Sequence, residues 1–151
     1  FEKNVMPQIK KEFIDKGIVQ LIYSPFPIDE ISLAAEVMVR CAPENAFFDL
    51  YDALFAKQQD LFQSGDIVAF LKNMGNLAGL TEEKFDACIN SQELIETMTL
   101  QVRESYTKHS INAVPALIVN GEQVIIGYRN FDEIKKIIED TQKILNLKKG
   151  K

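Results

Sequence analysis

Apolar, β-prone residues fill most of positions 111–121, which read INAVPALIVNG and end in an Asn-Gly pair. Asn-Gly between two such runs is the strongest short-range signal for a β-hairpin, and residues 123–126 (QVII) supply the second run. Because proline has no N–H to donate to a β-ladder, we expect Pro115 to be the first residue of the first strand. Ala113 and Val114 then form the loop that leads into it. The pattern predicts a hairpin that is entered through a proline.

After the hairpin, the apolar positions recur at the spacing of an amphipathic helix. Asn130 and Glu133 have the spacing of a capping box at the start of this helix. The apolar residues that would share one broad face are Phe131, Ile134, Ile137, Ile138, Ile144 and Leu145. We therefore predict a helix that packs this face against the rest of its domain.

The first part of the chain predicts a helix followed by a strand. Apolar residues at helical spacing indicate a helix over residues 1–16 that ends at Gly17. Pro7 lies inside this helix and should kink it, because proline removes one backbone donor. Residues 18–23, IVQLIY, predict a strand that the following Ser-Pro-Phe-Pro sequence ends.

Residues 29–108 contain no strand signal and predict a block of helices. Each helix has a recognisable first residue, either a capping side chain or a proline. These residues are Asp29, Pro43, Asp66, Thr81 and Asn90, the last of which has Glu93 at capping-box spacing. The middle of the chain is therefore predicted to be entirely helical.

The order of these elements resembles the thioredoxin fold, and most of all the DsbA-like thiol–disulfide oxidoreductases of bacterial envelopes. The resemblance rests on VPALIVNG with its hairpin and final helix, and on the helical block inside the fold. It implies an α/β fold with a thioredoxin-like mixed sheet and an all-helical insertion domain. Residues 1–28 and 109–151 would form the thioredoxin-like part, and residues 29–108 the insertion.

The family resemblance also implies a site. Local sequence alone favours a trans Val114–Pro115 bond, since only about 5–6% of X-Pro bonds are cis. In the family, however, this proline is cis and lies against a redox-active Cys-x-x-Cys pair. Val114 and Pro115 would thus be catalytic-loop residues, and Ala113 with Val114 would bind substrate. No Cys-x-x-Cys occurs in the sequence, so we expect it just upstream of Phe1, with the central strand, and the 151 residues to be a fragment.

Cys41 and Cys88 are the two cysteines of the sequence, and their spacing excludes a Cys-x-x-Cys motif. Three alternatives remain: a static disulfide between two helices, a second redox couple, and two buried thiols. In an exported protein we favour the structural disulfide. Some DsbA-like families carry such an extra pair in the helical part, which agrees with this choice.

Other kinds of chemistry have little support in the sequence. His109 is the one histidine, and it has no metal-ligand cluster around it, so we expect a solvated helix-end residue, no metal and no cofactor. Seventeen basic and 22 acidic residues give a net charge of −5 without a basic stripe, which argues against nucleic acid as a partner. No apolar run approaches the roughly 18 residues of a membrane helix.

We therefore expect a periplasmic or otherwise exported thiol:disulfide oxidoreductase of the bacterial envelope. Its expected partners are unfolded or reduced exported polypeptides and, as reoxidant, a membrane quinone-linked DsbB-like protein. Two alternatives share the scaffold. A kappa-type glutathione transferase uses a serine in place of the attacking cysteine, and a redox-inactive binding module or chaperone has neither. The residues just before Phe1 distinguish the three.

Overall fold

The computed structural model of the chain describes residues 1–149, with side chains described as far as residue 147. Its contacts divide the chain into two units. One consists of Phe1–Ile22 together with the chain from His109 onward, and the other of Tyr23–Lys108. The sequence predicts the first boundary after residue 28, whereas the contacts place it between Ile22 and Tyr23.

The described residues are mostly helical. In the first unit the elements are α1 (Met6–Ile9), which continues as a π-helical turn (Lys10–Ile14), then β1 (Ala116–Val119), β2 (Gln123–Ile126) and α8 (Phe131–Lys149). In the second unit they are α2 (Glu30–Cys41), a 3-10 turn (Glu44–Ala46), α3 (Phe47–Ala56), α4 (Gln58–Gln63), α5 (Ile67–Leu77) and α6 (Glu82–Ile89). Helix α7 (Gln92–His109) ends at the unit boundary.

The predicted hairpin is present. Strands β1 and β2 are antiparallel, with Leu117 opposite Ile125 and Val119 opposite Gln123. Asn120 and Gly121 form the turn with φ angles of 52° and 74°, a conformation that asparagine and glycine adopt most readily. The N–H of Glu122 donates to the Val119 carbonyl at 3.2 Å and closes the turn.

The predicted strand over residues 18–23 is wrong for this structure, and so is the mixed sheet. Among the described residues the sheet has two strands, β1 and β2, and a strand without a neighbour has no ladder bonds to define it. The segment still alternates in burial: Val19 and Leu21 pack against the core, whereas Ile22 is 79% exposed. The alternation of apolar and exposed positions in the sequence is therefore present in the structure. The segment lacks a paired strand among the described residues.

The first helix begins later than predicted. Helix α1 starts at Met6, so Pro7 lies in its first turn, where the missing N–H is not required. The predicted kink at an interior Pro7 is therefore wrong. The irregularity lies instead in the π-helical turn that follows, which ends at Ile14, two residues before the predicted end. Gly17 lies in the turn after it, with a φ angle of 67°.

The first unit has a core of its own between α1 and α8. Its buried residues are Val5, Met6, Ile9, Phe13, Ile134 and Ile138. The rings of Phe13 and Phe131 lie 6.5 Å apart, and Lys135 pairs with Glu12 at 3.3 Å beside them. The apolar face predicted for the last helix contributes Phe131, Ile134 and Ile138 to this core, whereas Ile144 and Leu145 are 55% and 41% exposed. Asn130 and Glu133 form the predicted capping box at the start of the last helix.

Most of the predicted helix starts in the second unit are correct. Asp29 caps α2 in a reciprocal box with Ser32, and the side chains of Asp66 and Thr81 cap α5 and α6. The predicted cap of α7 is wrong, because Asn90 donates its amide to the Asp86 carbonyl instead.

One residue further along, the Ser91 hydroxyl accepts from the Leu94 N–H at 3.4 Å, so Ser91 takes the capping position of α7. Asn90 prefers a contact with the preceding helix, because its amide lies within reach of the last turn of α6.

Helix α2 carries a charged group into the interior of the second unit. Glu36 is 8% exposed and lies beside fully buried neighbours on the same helix. Its carboxylate accepts hydrogen bonds from Arg40 Nε, at 3.1 Å, and from the Tyr51 hydroxyl of α3. Burial, and then the neighbouring Glu36 carboxylate, raise the pKa of Tyr51 above its ordinary value. The tyrosine therefore stays a neutral donor, as a buried carboxylate requires.

Cys41 and Cys88 are joined by a disulfide, with their Cα atoms 6.2 Å apart. Cys41 is the last residue of α2, and Cys88 lies near the end of α6. The Cys88 side chain is buried beside Val37 and Met98. The bond therefore fastens the second-unit helix that carries Glu36 to a helix 47 residues further along the chain.

We predict that Cys41→Ala with Cys88→Ala destabilises the full-length protein by about 4 kcal/mol, the loop-closure entropy expected for a separation of this length. The lower urea midpoint of unfolding measures the loss. Each single replacement should cost about as much as the double one, because either removes the same bond. A double variant with the wild-type midpoint would contradict a structural role.

We predict that Tyr51→Phe destabilises the protein by about 1–3 kcal/mol at neutral pH, because the buried Glu36 carboxylate loses a donor. Since the native pKa of Tyr51 is raised, the native state keeps a proton that the unfolded chain loses above about pH 10. The free energy of unfolding of wild type should therefore fall more steeply with pH above that value than that of Tyr51→Phe.

Tyr106 offers a matched control, because its side chain is 60% exposed on α7 of the same unit. Tyr106→Phe should leave both the neutral-pH stability and the alkaline slope close to wild type. If the two variants behaved alike in urea titrations between about pH 8 and pH 11, the Tyr51–Glu36 contact would have no energetic role.

Candidate functional site

The candidate site is built on the loop that enters β1. The Val114–Pro115 peptide bond is cis, and β1 begins at the next residue. Pro115 thus precedes the strand, where its missing N–H interrupts no ladder bond. Its carbonyl oxygen accepts from the Gly127 N–H at 2.8 Å, which extends the pairing of the hairpin by one step.

The residues before Pro115 lie at the surface. Ala113 is exposed, and Val114 is 48% exposed. Ile111, 6% exposed, anchors the start of the loop. In the part of the chain that is described, β1 has a strand partner on one edge only, which is β2.

The ladder ends at Gly127, whose φ angle of 88° turns the chain away from β1. Tyr128 follows it and is 54% exposed. The Arg129 guanidinium folds back, and its Nη1 donates to the Tyr128 carbonyl at 2.9 Å. Sequence reasoning missed both residues, because it interpreted Gly127 only as the end of a strand. The signal that could have found them is the hairpin register, which leads from Pro115 to Gly127.

The other chemistry-bearing residues are not part of this loop. Cys41 and Cys88 form the disulfide of the second unit. His109 is the last residue of α7 and is partly buried. Within residues 1–149 there is no group of three or more His, Cys, Asp or Glu side chains that could hold a metal ion. Nor does any described helix have the length and apolar character needed to cross a membrane.

A family comparison agrees with this arrangement. The model of a family described as Thioredoxin matches residues 1–140. The chain belongs to the thioredoxin family. This match covers the helical middle as well as both thioredoxin-like parts, so the helices lie within the family's pattern.

Curated relatives of this thioredoxin-family chain are named for disulfide chemistry. A putative protein-disulfide oxidoreductase of Rickettsia felis is 23% identical over 92% of this chain and 50% of its own length. Disulfide bond formation protein D of Bacillus subtilis is 31% identical over 92% of this chain and 64% of its own. The chain thus spans about half the length of the rickettsial relatives.

Solved structures show the same fold. Wolbachia pipientis alpha-DsbA1 matches with a TM-score of 0.83 at 23% identity, covering 97% of this chain and 81% of that one. A protein-disulfide isomerase from Novosphingobium aromaticivorans matches with a TM-score of 0.71 at 15% identity, covering 93% and 83%. The fold is therefore thioredoxin-like and DsbA-like, although the described sheet has two strands and most of the structure is helical.

Proposed function

We propose that the full-length protein is a thiol:disulfide oxidoreductase that exchanges disulfides with unfolded exported polypeptides. The observation that carries the proposal is the exposed loop at Val114, followed by the cis Val114–Pro115 bond, in a thioredoxin-family chain. Relatives named for disulfide formation support it. The catalytic Cys-x-x-Cys pair lies upstream of Phe1 in this proposal, and Val114 and Pro115 face it.

The reaction is a two-electron exchange. A substrate thiolate attacks one sulfur of the enzyme disulfide, forms a mixed disulfide and releases the other enzyme sulfur as a thiolate. A second substrate thiolate then attacks the mixed disulfide, which leaves the substrate oxidised and the enzyme with two thiols. The two protons of the substrate thiols pass to the enzyme thiolates or to solvent. A low-pKa cysteine at a helix N-terminus leaves readily in the second step.

In this proposal the loop holds the substrate by backbone contacts. An extended segment pairs with the backbone at Ala113 and Val114 in the manner of strand addition, which is independent of side-chain sequence. That independence suits an enzyme whose substrates are many unfolded chains. Pro115 contributes no side chain that could bind a metal or react with the thiols.

The proposed location is the periplasm or another exported compartment of a bacterial envelope. An oxidase that forms disulfides needs a compartment where disulfides persist. It also needs an oxidant that regenerates its catalytic disulfide. A membrane quinone-linked DsbB-like protein is the proposed reoxidant. The structural disulfide between Cys41 and Cys88 is consistent with such a compartment.

The oxidised full-length protein should convert a reduced two-cysteine peptide to its disulfide. The peptide loses its two thiols, and the enzyme gains the same number. The Cys41→Ala, Cys88→Ala variant should retain this activity, because those cysteines are not the exchanging pair. A kappa-type glutathione transferase would instead conjugate glutathione to an aryl halide without oxidising the peptide. A binding module would neither oxidise the peptide nor conjugate glutathione. Conjugation without oxidation, or no reaction at all, would refute the proposal.

We predict that Val114→Thr raises the reduction potential of the full-length enzyme by about 20 mV, the equivalent of one hydrogen bond of about 1 kcal/mol to the thiolate. Threonine keeps the β-branched shape, so peptide turnover should change little. Equilibration with glutathione buffers measures the potential.

Val68 is a suitable control, since it is an exposed valine on α5 with a similar exposed fraction, 53%. Val68→Thr should leave the potential unchanged. Equal potentials for wild type and both variants would mean that Val114 does not face the thiols.

A further inference from the structure

A cationic side chain lies at the end of the hairpin ladder, next to the loop proposed to bind substrate. The last hydrogen bond of the ladder joins Gly127 N to Pro115 O, at 2.8 Å. A Cβ built on Gly127 would lie 4.0 Å from Nη1 of Arg129. The Arg129 guanidinium therefore lies over the residue that pairs with Pro115, one step from Val114.

The Arg129 guanidinium has N–H donors available for a ligand. One N–H of Nη1 is used on the Tyr128 carbonyl, and arginine has five N–H donors in total. None of the ion pairs of the described residues involves Arg129. Of the two carboxylates in the first turn of α8, Glu133 accepts from the Asn130 N–H in the capping box. The Tyr128 contact fixes the direction of the guanidinium and leaves the rest of its fork for a ligand.

We propose that Arg129 is a specificity-determining residue that favours substrates with an acidic side chain beside the reacting cysteine. A segment paired with the Val114 backbone brings its neighbouring side chains past the Pro115–Gly127 pair, where the guanidinium can donate two hydrogen bonds to one carboxylate. The exposed ring of Tyr128 supplies an apolar surface next to that charge. This inference rests on the proposed function.

The preference must come from this local charge, because the chain as a whole carries a net charge of −5 and would repel an acidic peptide. At physiological ionic strength charges are screened over about 8 Å, so contact with one guanidinium outweighs the distant carboxylates. An exposed ion pair contributes up to about 1 kcal/mol, which corresponds to a preference of about fivefold.

The test uses the full-length enzyme and two reduced two-cysteine peptides that differ only in Glu or Lys next to the reacting cysteine. Wild type should oxidise the Glu peptide with a kcat/KM about three- to fivefold higher than the Lys peptide. Arg129→Glu should reverse the order, with the change in KM and not in kcat, because the charge acts equally in binding and reaction. Arg129→Lys should keep most of the wild-type preference, because it keeps the charge.

Lys84→Glu controls for net charge. Lys84 is exposed on α6 in the second unit, and its reversal changes the charge of the chain as much as Arg129→Glu does. This variant should leave the ratio of the two peptides at the wild-type value. Misfolding would lower kcat/KM for both peptides by the same factor and leave the ratio of the two values unchanged. A reversed ratio therefore reports on selectivity.

Two results would overturn the inference while leaving the proposed function intact. One is oxidation of both peptides at equal kcat/KM by wild type, and the other is an unchanged ratio in an Arg129→Glu variant that unfolds at the wild-type urea midpoint. If wild type oxidises neither peptide, the proposed function fails and the inference fails with it.

Discussion

Pro115 has no N–H, and the hairpin of the first unit is arranged around that missing donor. Pro115 and Gly127 are joined by one hydrogen bond, in which the Gly127 N–H donates to the Pro115 carbonyl. The strand can begin only after the proline, so Val114 stays outside the ladder and exposed. Gly127 then turns the opposite strand away at the same level, which brings the Arg129 guanidinium back over the end of the hairpin.

The second unit depends on a different constraint, the satisfaction of a buried charge. Glu36 lies on the most buried stretch of α2, where an unpaired carboxylate would be costly. Arg40, one turn along the helix, and Tyr51, on α3, supply its hydrogen bonds. The disulfide from Cys41 fixes the end of the same helix to α6. Helix α2 is therefore held by three kinds of interaction, which are apolar packing, a buried polar cluster and a covalent link.

Local sequence predicted the elements whose causes are local. The Asp29 cap of α2 and the capping box of Asn130 with Glu133 need only neighbours three residues apart, and the Asn-Gly turn needs only two adjacent residues. Ser91 replaced Asn90 as a cap because Asn90 found a partner in the preceding helix, a contact that spacing does not reveal.

The sequence by itself determined the hairpin, most of the helix starts in the second unit, the all-helical middle and the position of Pro115 at the entrance to β1, because each follows from short-range geometry. Only the tertiary structure decided whether residues 18–23 form a strand, since a ladder needs a neighbour that local pattern cannot supply. It also decided that Tyr51, 15 residues further along the chain, is the partner of Glu36. This contact depends on how α2 and α3 pack, because a side chain's partner is set by distance in space and not along the chain.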